Sequence, residues 1–190
     1  MIYVVAAVVD AGQSKMKLET ERLILRGFRE EDLDLLTQLM ADAEFMQYSL
    51  GVYTRDQTAG FLDKIIGWER ASKPSLLAVE LKRERPMLGY CGFFHHPEEL
   101  PGEVEIGYRL HRAYRNRGLI IDAARAVRDY AFHQLQLPRV ISLIHPENIP
   151  SRRVAEKMGM ILQKEIMFRG FPTHVFAITR GQWLAEHGAR

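Results

Sequence analysis

Apolar and polar residues alternate along "ERLILRGF", residues 21–28, the period-two pattern of a strand with one buried face. The next stretch, "REEDLDLLTQLMAD", changes period. Its first turn is acidic, and Leu33, Leu36 and Met40 recur at helical spacing, so it predicts an amphipathic helix. A second helix is predicted over "TRDQTAGFLDKIIGWER", where Thr54 and Gln57 stand at capping-box spacing and Phe61, Leu62 and Ile65 share a face. Three strand-like runs follow: "SLLAVEL", "MLGYCGFFH" and "EVEIGYRL". They are joined by the charged turn "KRERP" and the loop "HPEELPG", and such short connections predict an antiparallel meander.

Helical period returns at "DAARAVRDYAFH". Ala123, Ala124, Val127, Tyr130 and Ala131 line one face, and Asp122, Arg125, Asp129 and His133 line the other. "RVISLIH" reads as a buried strand. "NIPSRRVAEKMG" reads as a short helix, with Asn148 or Ser151 as cap and Gly159 as stop. "ILQKEIMFRGFPTHVFAITR" holds two strand-like runs about the turn "RGFP". The order predicts one mixed α/β domain with helices on both faces of its sheet.

The start, "MIYVVAAVVDAGQSK", stands apart. Its apolar run is too short to span a bilayer and lacks a basic n-region. Residues 1–15 are expected to be an N-terminal extension, with an extra edge strand or a partner contact as the sharper form, and residues 16–190 the domain.

Composition narrows the function classes. At 190 residues, with 47% hydrophobic and 26% charged, the chain suits one soluble globular domain. A net charge of +2 is too mild for nucleic-acid binding. Cys91 is the only cysteine, so no internal disulfide forms, and a reducing compartment such as the cytoplasm is expected. It reads as a small buried apolar residue. The histidines show no H-x-x-x-H or Cys/His spacing, and no metal site is expected.

One stretch carries candidate chemistry. In "EIGYRLHRAYRNRGLIIDAARAV" a strand feeds an arginine-rich turn, then Gly118, then a helix. A helix start offers free N–H groups and a positive dipole end, glycine lets a ligand approach the backbone, and Arg115 and Arg117 add charge. Phosphate or pyrophosphate fits that combination. The spacing is neither a P-loop nor a dinucleotide fingerprint.

This R-x-x-G-x-x segment resembles the acetyl-CoA loop, Q/R-x-x-G-x-G/A, of the GNAT superfamily of N-acetyltransferases. "LETERLILRGFREEDLDLL", "ADAEFMQYSLGVYTRDQTAGFL" and the block from "EVEIGYRL" to "VAEKMGM" are similar to the branch holding the ribosomal-protein N-terminal acetyltransferases, over roughly residues 17–180. The resemblance implies a single domain with a mostly antiparallel sheet splayed at the cofactor site. It implies acetyl-CoA as co-substrate and transfer to a primary amine, on a small molecule or a protein N-terminus, by a soluble enzyme, with a homodimer as the expected assembly. Arg115, Asn116, Arg117, Gly118, Leu119 and Ile120 would form the pyrophosphate loop. Tyr108, Arg109 and Leu110 would lie on the splayed strand, with an amide near Leu110 polarising the thioester carbonyl. Asn148 would contact the pantetheine arm, and Ser151 would lie near the sulfur. Tyr48 and Tyr53 would fall on the loop that walls the acceptor site.

Two positions depart from the pattern. The tyrosine that often protonates the leaving thiolate is replaced by Ala155, which makes Ser151 the substitute. The small residue ending the loop is replaced by Ile120, whose side chain either crowds the pyrophosphate or points into the core. For the base that takes the amine proton, Glu103 and Glu105 are two apart and share a strand face, and "EIGY" favours Glu105. Two other functions share this pattern: a non-catalytic acyl-CoA-binding or sensing module, and a dimeric scaffold that binds no cofactor.

Overall fold

The computed structural model describes residues 16–83 and 87–187. The N-terminal extension expected over residues 1–15 lies outside these. The strands are β1 (Lys17–Glu19), β2 (Leu23–Gly27), β3 (Leu76–Leu81), β4 (Met87–His95), β5 (Val104–Leu110), β6 (Arg139–Ile144), β7 (Ile161–Phe168) and β8 (Phe171–Thr179). The helices are α1 (Leu33–Met40), α2 (Arg55–Arg70), α3 (Leu119–His133), α4 (Ile149–Lys157) and α5 (Arg180–His187). All strands join one sheet, in the order β1-β2-β3-β4-β5-β6-β8-β7. The predicted meander is present: β3–β4 and β4–β5 pair antiparallel. Among the described residues only β5 and β6 run parallel.

Period-two patterning divides the core between the two faces. Leu77 and Val79 of β3 pack with Phe93, Ile106 and the α3 residues Ala123, Val127 and Phe132. Leu76 and Ala78 point the other way, to Leu36 and Met40 of α1 and Leu62 and Ile65 of α2. Ala155 of α4 and Trp183 of α5 join the α3 side. The face of β4 inverts part-way along, because Leu88 is an extra residue in a bulge: Val79 pairs with Gly89, and Glu80 with Met87. Gly89 sits there at φ +152°, and a Cβ would run into the Arg109 carbonyl of β5.

Local signals act where the sequence places them. Thr54 accepts from the Gln57 amide at 3.2 Å while the Gln57 side chain accepts from the Thr54 amide at 2.8 Å, which closes the capping box of α2. Asn148, not Ser151, caps α4, accepting from the Ser151 amide at 3.2 Å. The hairpin turn at Arg169–Gly170 takes φ values of +49° and +84°, the handedness a two-residue turn between twisted strands requires. Two elements go beyond the sequence pattern, the three-residue β1 and the C-terminal α5. The latter repeats the Thr-x-x-Gln cap, with Gln182 accepting from the Thr179 amide at 2.9 Å.

Candidate active site

The parallel pair β5–β6 meets at one register position, Glu105 opposite Ile141, and the strands diverge beyond it. The Ser142 hydroxyl donates to the Ile106 carbonyl at 2.8 Å and clips the strands together where the gap begins. On the other side of the gap, the Tyr108 hydroxyl donates at 2.9 Å to the carbonyl of Ser151 in α4. Burial pushes the Tyr108 phenol well above its ordinary pKa, so it stays protonated. The gap opens into a cleft of about 1510 Å³, bounded by β5, β6, α2, the starts of α3 and α4, the α1–α2 loop and the β7–β8 hairpin.

At one end of this cleft the chain leaves β5, makes a 3-10 turn over Arg112–Tyr114, and reaches Gly118, the N-cap of α3. Gly118 has φ +72°, the left-handed conformation that lets the loop turn into the helix. Among the described residues, the amides of Asn116 through Ile120 make no backbone hydrogen bond. A Cβ on Gly118 would meet only the Arg22 guanidinium, at 3.3 Å. A concave row of unpaired N–H groups at a helix start is an anion cradle, and the residues present fit a pyrophosphate.

The loop arginines divide their tasks. Arg115 donates to the Leu110 carbonyl at 3.0 Å and to the Glu44 carbonyl at 3.2 Å, and pairs with the Glu44 carboxylate at 3.0 Å. Its charge is thus engaged in holding the α1–α2 loop. Arg109 assists, donating to the carbonyls of Phe45 at 2.6 Å and Gln47 at 3.2 Å. Arg117 is exposed and lies over the Tyr114 ring. Arg22, from the turn before β2, donates to the Arg117 carbonyl at 2.8 Å and pairs with Asp122 at 2.7 Å, bracing the first turn of α3.

The base of the cleft holds Glu105. Its carboxylate lies 2.6 Å from His96 Nε2, and the two side chains are 12% and 8% exposed. His96 stacks on Phe94 and meets Phe168 edge-on. The adjacent His95 turns to different partners, the Pro74 carbonyl at 2.7 Å and Trp68. Glu103 falls just before β5 instead of sharing its face. It lies 3.4 Å from Arg139 and is not part of the cleft wall. Tyr48 crosses from the α1–α2 loop to stack on His145 and donate to the Glu147 carbonyl at 3.4 Å, bridging the two walls.

Residues 22–161 match the family model of the acetyltransferase (GNAT) domain. The chain belongs to the GNAT acetyltransferases. It is 34% identical over 146 residues to an uncharacterized N-acetyltransferase, YnaD, of Bacillus subtilis (strain 168), covering 76% of this chain and 82% of that one. A GNAT-family acetyltransferase from Bacillus anthracis superposes with a TM-score of 0.75 at 29% identity, covering 87% of this chain and 99% of that one. The RimL ribosomal alpha-N-protein acetyltransferase, solved in complex with coenzyme A, shares the fold with a TM-score of 0.72 at 19% identity, over 84% of this chain and 95% of that one.

In this acetyltransferase Tyr108, Arg109, Leu110, Asn116, Gly118, Ile120, Asn148 and Ser151 all border the same cleft, with Glu105 at its base. Leu119 is 4% exposed and packs in the core, so it can offer the loop only its backbone. Ala155 is fully buried. Cys91 is buried too, and burial pushes its thiol well above the ordinary range, which makes it an apolar filler. The sequence offered no signal for His96 as partner of Glu105, since the contact depends on how β4 registers against β5. Among the described residues no helix is long and apolar enough to cross a membrane.

Ile120 borders the cleft and also packs, half-buried, against the core on the α3 side. Ile120→Ala is therefore expected to cost about 1–2 kcal/mol, below the range for a fully buried large-to-small change, with acetyl-CoA affinity retained. Chemical denaturation and calorimetric titration check the pair. Tighter binding without loss of stability would place its methyls against the phosphate.

Proposed function

We propose that this acetyltransferase transfers an acetyl group from acetyl-CoA to a primary amine by direct attack in a ternary complex. The observation that carries the reading is one cleft with an unpaired amide cradle at Gly118 at one end and a shielded carboxylate, Glu105, at the base. The cradle suits the pyrophosphate, and the splayed edge of Tyr108–Leu110 suits the amide-bearing arm that follows it. Asn148 and Ser151 stand across the gap. A buried single cysteine suits a reducing compartment, and this reading places the enzyme in the cytoplasm.

The amine arrives as an ammonium and must lose a proton to attack. Glu105 takes that proton, directly or through a water, while His96 holds the carboxylate in place. The carbon–nitrogen bond forms as the carbon–sulfur bond breaks, and an amide near Leu110 donates to the carbonyl oxygen as its charge grows. The departing sulfur takes a proton from the Ser151 hydroxyl, which regains one through water from the acylated nitrogen as that nitrogen sheds its extra proton. Tyr108, a phenol beside Ser151, is the second candidate donor.

Ser151→Ala isolates this last step, because the residue's structural bonds are made by its backbone: the amide donates to the Asn148 cap of α4 and the carbonyl accepts from Tyr108. Turnover is expected to fall about 10²-fold with acetyl-CoA affinity kept. A larger fall in Tyr108→Phe would move the donor to the phenol. Equal losses in binding and rate would make Ser151 a cofactor contact. The reaction itself is tested by thiol release with acetyl-CoA against a panel of amines, with mass spectrometry of the acceptor. Thiol release that requires the amine and adds one acetyl group is expected. Binding of acetyl-CoA with no turnover would instead describe an acyl-CoA sensor.

A further inference from the structure

We infer that the acceptor is a small monoamine with an aromatic or otherwise apolar body. This rests on the transfer reading above and specifies its substrate. The acceptor half of the cleft, under the α1–α2 loop and the β7–β8 hairpin, is walled by Tyr53, Phe61, Trp68, Phe94, Phe168 and Phe171. Four of these rings form a chain of contacts toward the base. Tyr53 meets Phe61 at 6.3 Å between centroids, Phe61 meets Phe94 at 6.5 Å, Phe94 meets His96 at 6.2 Å, and His96 meets Phe168 at 5.0 Å. His96, between Phe94 and Phe168 in this chain, is the residue that holds Glu105. An apolar body laid along these rings would bring its amine to that carboxylate, and ring faces favour an ammonium over bulk solvent while it waits for deprotonation.

Charge argues against a polyamine. The carboxylates lining the cleft among the described residues are Glu44, Glu105 and Glu147. Glu44 is held by Arg115 and Arg112, and Glu147 lies beside Asn148 at the cofactor end. Only Glu105 stands among the rings. Lys64, over Trp68, is a cation of that half and would repel a second ammonium, whereas Arg169, over Phe168, is already paired with Glu99 at 2.7 Å. A peptide fits poorly for another reason: its amides would enter a wall of rings and lose hydrogen bonds to water without replacement. The mouth continues the apolar character, with Leu50 59%, Val52 51% and Phe171 45% exposed.

The test measures kcat/KM by thiol release at saturating acetyl-CoA for phenethylamine, spermidine and a peptide with a free N-terminal alanine. Phenethylamine is expected to exceed each of the others by about tenfold or more, the discrimination an apolar pocket can supply. Phe171→Ala, at an exposed hairpin position, is expected to raise KM for phenethylamine more than for spermidine. If spermidine or the peptide is the better acceptor, the substrate class is wrong and acetyl transfer stands. If all three leave acetyl-CoA intact while it binds by calorimetry, the transfer reading and the substrate class fall together.

Discussion

Glu105→Gln is expected to lower kcat by about 10²–10⁴-fold, the usual contribution of a general base. The substitution is nearly isosteric, and its amide oxygen can still accept from His96 Nε2, so the cleft keeps its shape. Acetyl-CoA titration should give an unchanged affinity, because Glu105 lies at the base of the cleft and not in the amide cradle at Gly118. Part of the lost rate should return at alkaline pH, where the free amine deprotonates in solution and no longer needs a base. Glu103→Gln is the comparison. The Glu103 carboxylate faces Arg139 outside the cleft wall. Should Glu103→Gln be the more damaging change, the base is assigned to the wrong carboxylate. If neither change matters, solvent deprotonates the amine and the protein contributes alignment alone.

The largest effect on stability is expected from Arg26→Met. Arg26 of β2 lies between two carboxylates, with a fork onto Asp32 at 2.7 and 2.8 Å and a bond to Glu80 of β3 at 2.7 Å. The three side chains are 15%, 11% and 12% exposed. The bond to Asp32 first, and that to Glu80 after it, hold the guanidinium's pKa above its ordinary value against the opposing pull of burial. Methionine fills much of the same space but leaves two shielded carboxylates facing each other without a cation. Removing one partner of such a site costs about 3–5 kcal/mol. Asp32 also accepts from the Arg29 amide at 2.8 Å, so the loss should loosen the turn that starts α1. Urea denaturation should show a lower midpoint with the same slope. Arg26→Lys should fall between, since an ammonium keeps the charge without the fork. A loss in Arg26→Met no larger than that of an exposed substitution would mean the two carboxylates find other partners.

Much of this protein follows from short-range rules. Alternation placed β2 and the meander, helical period placed α1 to α4, and Thr54 with Gln57 and Asn148 with Ser151 set where helices begin. These signals act over a few residues, so they survive in the bare sequence. The glycine at 118 belongs with them: a strand that must turn into a helix needs a left-handed residue, and that need is local. The loop it opens also carried the likeness to GNAT acetyltransferases. What stayed hidden is decided by contacts between distant segments. Nothing near Arg115 in the sequence says that Glu44, 71 residues away, will take its charge. Nothing near Glu105 shows which strand face opens to the cleft, or that Glu103 will fall outside it. His96 meets Glu105 only because β4 and β5 pair in one register, and Arg26 meets Glu80 only because β2 lies beside β3. Local preference sets the elements, whereas the partner of each charged side chain depends on packing those elements together, and only the tertiary structure decides that.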